Sequence, residues 1–229
     1  FENKMQSVIN QSHHNLAQYR ISETVKDMYI FIWDDFCSWY LEFIKPEYQQ
    51  PIDSYTLNKT IDYLERICSL LHPFMPFITE ELWHNIKERS DHDYCIVSKY
   101  PAIGEFDASI IEGGELVKEL ITAIREVRSK SKLKNSDLVV CQYETASAIF
   151  QSFEKKICKA AYLSEFTAST GEQEEAQTIL LKGSKFHIVT GQKVDIASEK
   201  TRLEEEIKYV EGFMKSVEAK LSNERFVAG

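Results

Sequence analysis

Leu71-His72-Pro73-Phe74-Met75-Pro76-Phe77-Ile78-Thr79-Glu80-Glu81-Leu82-Trp83 sets two prolines three residues apart between two runs of helical periodicity. Each proline removes a backbone donor, so a helix ends here and another begins. Upstream, Leu57, Ile61, Leu64, Cys68 and Leu71 step by four and three residues, one face of a helix. Downstream, Glu80 and Glu81 sit near the positive end of the resumed helix. The segment predicts two helices meeting at a tight bend, with Phe74, Phe77, Leu82 and Trp83 turned into a core.

The same grammar extends outward on both sides. A first helix is expected from Glu2 to Tyr19, marked by Met5, Val8, Ile9 and Leu16. A second, capped by Ser22 or Thr24, carries Val25, Met28, Tyr29, Ile32, Phe36, Trp39, Tyr40 and Phe43 on one broad apolar face. Lys45-Pro46 ends it, because the residue before proline disfavours helical backbone. Trp33, Phe36, Trp39 and Tyr40 are read as core residues, and Cys37 and Cys68 as buried thiols on apolar faces. Ser90–Asp93 reads as a polar loop and Tyr94–Tyr100 as an extended segment. Gly113-Gly114 marks a boundary before a helix through Leu116, Leu120, Ile124 and Arg128. These pieces make an antiparallel helical bundle.

Past Asn135 the pattern changes. Asp137–Tyr143 predicts a strand, Ala146–Tyr162 a helix, and Thr178–Val189 one or two strands around Gly183-Ser184. From Ser198, Leu203, Ile207, Val210, Met214, Val217 and Leu221 form a heptad seam. The expected architecture is mainly α: a helical bundle over 1–132, a small α/β unit over 133–197, and over 198–229 a truncated coiled-coil helix. The chain opens on Phe1, not Met, so coverage is expected to begin inside a longer protein.

Scarce glycine and proline, 8 and 5 in 229 residues, favour long regular elements. No apolar run approaches the roughly 20 residues of a membrane span, and no signal sequence is visible. A cytoplasmic location is expected. Five cysteines with no C-x-x-C pair argue against a disulfide framework or zinc site. His72, His84 and His92 lack a converging ligand set. The net charge of -9 speaks against a general nucleic-acid binder. One stretch breaks that trend: Arg125, Arg128, Lys130, Lys132 and Lys134 lie against a single acid, Glu126.

Three stretches resemble valyl-tRNA synthetases. Trp33-Asp34-Asp35-Phe36-Cys37-Ser38-Trp39-Tyr40-Leu41-Glu42 followed by Lys45-Pro46 is similar to a helix of their anticodon-binding bundle. The Leu71–Trp83 segment resembles the valine version of the hallmark shared by class I synthetases for branched aliphatic amino acids. Lys220-Leu221-Ser222-Asn223-Glu224-Arg225-Phe226-Val227 resembles the tip of their C-terminal coiled-coil hairpin, and argues against the isoleucine and leucine enzymes. The resemblance implies a bundle that reads the anticodon and a coiled coil that braces the tRNA, with valine tRNA and the rest of a monomeric synthetase as partners. ATP and Mg would belong to the parent's catalytic domain. Nothing matches the ATP-binding or editing signatures, so these residues are expected to hold no cofactor or metal and to be inactive alone.

Tyr19-Arg20, at a helix junction, has the chemistry for an unstacked base. The run Arg125, Arg128, Lys130, Lys132, Lys134 suits phosphates, or equally a helix end whose cations complement its dipole. Lys200, Arg202, Lys208 and Lys215 on the last helix either face tRNA or pair with nearby glutamates. The rival reading is a free-standing helical interaction protein that dimerises through its heptad seam.

Overall fold

The computed structural model describes residues 1–144, 148–169, 176–190 and 196–222, apart from the side chains of 196–199, 202, 203, 206 and 219. The chain forms two compact units, Phe1–Ala123 with Ser147–Ala161, and Ile124–Ala146 with Tyr162–Gly229.

The first unit is helical. Helix α1 (Glu2–Ala17) is followed by one long rod: α2 (Ile21–Ile30), a π-helical stretch (Phe31–Tyr40) and α3 (Leu41–Ile44). Helix α4 (Ser54–Leu71) starts on Asp53, whose carboxylate accepts the Thr56 amide at 2.9 Å. Helix α5 (Pro76–Ile86) places Pro76 in its first turn, where its missing donor has no cost. Met5, Ile9, Met28, Phe31, Phe36, Tyr63, Ile67 and Leu70 form the core of this bundle. Phe1 stacks on Phe31 and Tyr40, at centroid distances of 5.2 and 4.4 Å.

Trp83 anchors α5 beside Cys68 and Cys95. Its indole N–H donates to the Asp93 carbonyl at 3.1 Å, and the Arg89 guanidinium lies 3.7 Å from its ring centroid. Thr79, fully buried, hydrogen-bonds His72 Nδ1 at 2.7 Å and donates to the Met75 carbonyl at 2.8 Å, which fixes the bend after Pro73. Burial pushes the Cys68 thiol up to about 11, so it packs as an inert small hydrophobe.

Several expectations need correction. Phe77 is 90% exposed and Leu82 is also exposed, because Thr79 and Trp83, one turn apart, are the face that α5 turns inward. Trp33 and Cys37 are exposed too. The π stretch explains this: its bonds run five residues back, not four, which moves the buried face away from α-helical pitch. Phe31 and Phe36 are accordingly buried together, and the Ser38 hydroxyl donates to the carbonyl five residues back, on Trp33, at 2.9 Å. Gly113-Gly114 does not break a helix; both lie inside α6 (Ala108–Lys130). A Cβ on Gly113 would approach Ile149 to 3.1 Å, so this glycine permits close packing. Residues 95–97 form a 3₁₀ turn, not extended chain. No side chain caps α2; Thr24 instead donates back to the Arg20 carbonyl at 3.0 Å. The helix expected over 146–162 is two short ones, α7 (Ala148–Ser152) and α8 (Glu154–Ala161), and both fall in the first unit.

The second unit holds the end of α6 and a four-stranded sheet of order β2-β1-β4-β3. Strand β1 (Val139–Tyr143) pairs in parallel with β2 (Leu163–Ala168) and antiparallel with β4 (Ser184–Val189), which pairs with β3 (Ala176–Leu181). The β3–β4 turn, Lys182-Gly183, has positive φ at both residues, +42° and +83°, which matches the twist of a two-residue hairpin. Helix α9 (Ile196–Leu221) leaves Ile207, Val210, Met214 and Leu221 exposed, together with Tyr209 and Phe213.

Candidate nucleic-acid interface

Helix α1 ends with two backbone bonds: the Tyr19 amide to the Leu16 carbonyl at 3.0 Å, and the Arg20 amide to the Asn15 carbonyl at 2.9 Å. This is a Schellman ending, which normally places glycine at the left-handed position. Tyr19 occupies it, with φ +59°, and its side chain is 89% exposed. The left-handed conformation costs a side-chain-bearing residue about 1–2 kcal/mol. In return an aromatic ring projects from the helix end beside the exposed Arg20.

Helix α6 ends the same way. The Lys132 amide bonds the Ser129 carbonyl and the Leu133 amide bonds the Arg128 carbonyl, both at 3.0 Å, with Lys132 at φ +54°. Lys130, Lys132 and Lys134 are exposed around this ending, as is Arg125. The negative end of the helix dipole partly offsets their mutual repulsion.

Arg128 does not belong with them. It is 4% exposed, and its guanidinium donates to the carbonyls of Lys134 at 2.6 Å, Asp137 at 2.8 Å and Tyr162 at 3.1 Å. It also lies 5.4 Å from the Tyr162 ring centroid. Its donors are consumed in joining the helix end to the start of β1 and the start of β2, so it is withdrawn as a phosphate contact. A planar guanidinium with five donors is the side chain suited to that task.

On α9, Lys200 faces Glu204 at 3.9 Å, the one lysine–glutamate pair of this helix among the described residues. Lys208 and Lys215 are exposed. The side chain of Arg202 lies outside the described residues.

Two groups of residues carried no sequence signal of their role. Lys156 and Lys159, from α8, donate to the carbonyls of Phe43 and Lys45, the latter at 2.7 Å, and so close the open end of α3. Asp35 is buried on the π stretch, with Lys4 at 3.6 Å and Lys118 in direct contact; Glu115 lies 3.1 Å from Lys118. Burial works against the charge on Lys118, but the hydrogen bonds and attraction of Asp35 and Glu115 outweigh it and raise its pKa. Asp34-Asp35 read in sequence as part of a motif, yet only the fold separates the solvated Asp34 from its buried neighbour.

The first unit is helical and carries an exposed aromatic–arginine pair, Tyr19 and Arg20, at the α1–α2 junction. Residues 1–145 match the family described as the anticodon-binding domain of tRNA ligase, and the chain belongs to that family. Over nearly its whole length it is similar to proteins named valine–tRNA ligase. It is 37% identical to that of Christiangramia forsetii over 227 residues, 33% to that of Parabacteroides distasonis over 228, and 31% to that of Enterococcus faecalis over 226. These alignments cover 98%, 100% and 92% of this chain. The chain spans about a quarter of the length of the curated relatives it matches, 26%, 26% and 25% in the same order.

Proposed function

We propose that this chain is the anticodon-binding part of a valine–tRNA ligase, a protein that attaches valine to its tRNA with ATP and Mg. The observation that carries it is the family match over residues 1–145, together with relatives named valine–tRNA ligase along the rest. Activation of valine takes place elsewhere in such a protein; these residues hold the tRNA. The exposed Tyr19 ring and Arg20 offer an unstacked base a π-face and a planar cation. Arg125, Lys130, Lys132 and Lys134, with Lys200, Arg202, Lys208 and Lys215 on α9, offer phosphate contacts that position the RNA without reading its sequence. Work on tRNA in the cytoplasm fits a chain in which, among the described residues, no helix is long and apolar enough to cross a membrane.

A second reading has one observation behind it. Ile207, Val210, Met214 and Leu221 of the α9 seam are solvent-exposed, so the chain self-associates through them.

Fluorescence anisotropy of labelled valine tRNA, against a control differing only in its anticodon, tests the first reading at low salt. Tighter binding to the valine anticodon is expected, with log affinity falling shallowly against log salt because few cations are available. Binding to neither tRNA, with a concentration-dependent dimer in sedimentation, establishes the second.

A further inference from the structure

The first unit contains a cavity of about 420 Å³ where α3 ends and α4 begins, within the roughly 300–1,000 Å³ of small-molecule sites. Trp39, Phe43 and Tyr55 supply aromatic walls, and Trp39 meets Phe43 edge-on at 5.7 Å. Asp35 and Lys118 lie at its buried end. Lys59 stands at its rim, 43% exposed, held among the described residues by ion pairs at 3.8 and 4.0 Å and by the Tyr63 ring at 5.5 Å.

From this combination we infer that the cavity receives one unstacked nucleobase of the tRNA anticodon loop, an inference that rests on the tRNA-binding reading above. A base has two apolar faces and an edge on which donors and acceptors alternate. The aromatic walls answer the faces, and a carboxylate beside an ammonium answers the edge. The loosely paired Lys59 ammonium answers the adjoining phosphate.

Two further features fit. The π stretch, a geometry frequent at functional sites, delivers both Asp35 and Trp39 to the cavity. Gly114 also lines it from the interior of α6, where glycine costs about 1 kcal/mol relative to alanine. A Cβ at Gly114 would meet nothing within 4 Å. The cavity is therefore open on this wall, with room for a side chain to enter it from position 114.

The test uses the chain itself and an anticodon stem-loop RNA, intact or with abasic anticodon positions. Tyr55→Ala removes a side chain that is 75% exposed, so the fold is retained. Gly114→Phe fills the cavity from the opposite wall. Both variants are expected to lose about tenfold in affinity for the intact loop, the scale of one lost base–aromatic stack, and little for the abasic loop. Unchanged affinity in Tyr55→Ala overturns the inference while leaving tRNA binding in place. An equal loss on both RNAs also overturns it, since the contact would then be to the backbone. Absence of binding by the unaltered chain to either RNA, or to whole tRNA, overturns the functional reading and this inference together.

Discussion

Replacing Arg128 by methionine keeps an unbranched apolar stem and removes all its donors. Three carbonyls, those of Lys134, Asp137 and Tyr162, then lose bonds of 2.6, 2.8 and 3.1 Å. Hydrogen bonds to a charged group contribute about 1.5–3 kcal/mol each, so simple addition gives roughly 4.5–9 kcal/mol as a ceiling. Lys134 and Asp137 are exposed residues whose carbonyls can turn to water, which brings the expected loss to about 3 kcal/mol. At a denaturant slope of about 1–3 kcal/mol per molar urea, the midpoint falls by roughly 1–3 M. Far-UV circular dichroism follows the transition, and amide exchange shows lost protection at β1 and β2, the strands that Arg128 ties to the helix end. Arg128→Lys restores only part of the loss, because an ammonium cannot span three carbonyls as a planar fork does. An unchanged midpoint accompanied by a loss of tRNA affinity would falsify this account and return Arg128 to the phosphate contacts.

Tyr19→Gly relieves the left-handed backbone at φ +59° and should raise stability by about 1 kcal/mol, a few degrees in a thermal melt, while weakening tRNA binding in anisotropy. Binding that stays intact would remove Tyr19 from the interface. Glu65 is the third case. Partial burial opposes its charge, but hydrogen bonds from Lys87, at 2.6 Å, and from Arg89 hold its pKa below the usual carboxylate range. A depressed folded-state pKa gives stability that is present above the unfolded value, near 4.3, and is lost as pH falls through the folded one. Glu65→Gln should therefore be less stable than the unaltered chain at pH 7, and the gap should close on acidification below about pH 4. A gap that widens in acid contradicts the ion-pair assignment.

What sequence periodicity conveys and what it does not is visible in particular elements. The bend at Pro73 and Pro76, the end of α3 at Lys45-Pro46 and the β3–β4 hairpin were legible because proline and glycine act locally, on one or two dihedral angles. Strand β2 was not foreseen. Its buried residues, Leu163 and Phe166, are three apart instead of two, and its pairing with β1 shifts register between Val139 and Val140. Alternation is the signal that names a strand, and here it is interrupted. The exposure of Trp33 and Cys37 was hidden for a related reason, since an apolar face was drawn at α-helical pitch through a segment that does not have it. The basic run looked uniform as charge, yet Arg128 faces inward while Lys130, Lys132 and Lys134 face out. Only its position in the last turn of the helix, facing three carbonyls, makes that distinction. The cavity near Tyr55 and Gly114 left no trace in the sequence, because its walls come from segments as far apart as Asp35 and Lys118.

A deletion inside an ordinary helix turns everything beyond it by about 100° and moves its buried residues to the wrong side. The wide stretch from Phe31 to Tyr40 behaves differently, because each of its residues advances the rotation by less than α-helical pitch does. Tightening the stretch to α pitch with one residue fewer leaves the rods on either side almost in phase. A homologous helix one residue shorter here would still bury Met28 and still present Phe43. It would carry one side chain fewer across the stretch that now places Asp35 at the buried end of the cavity.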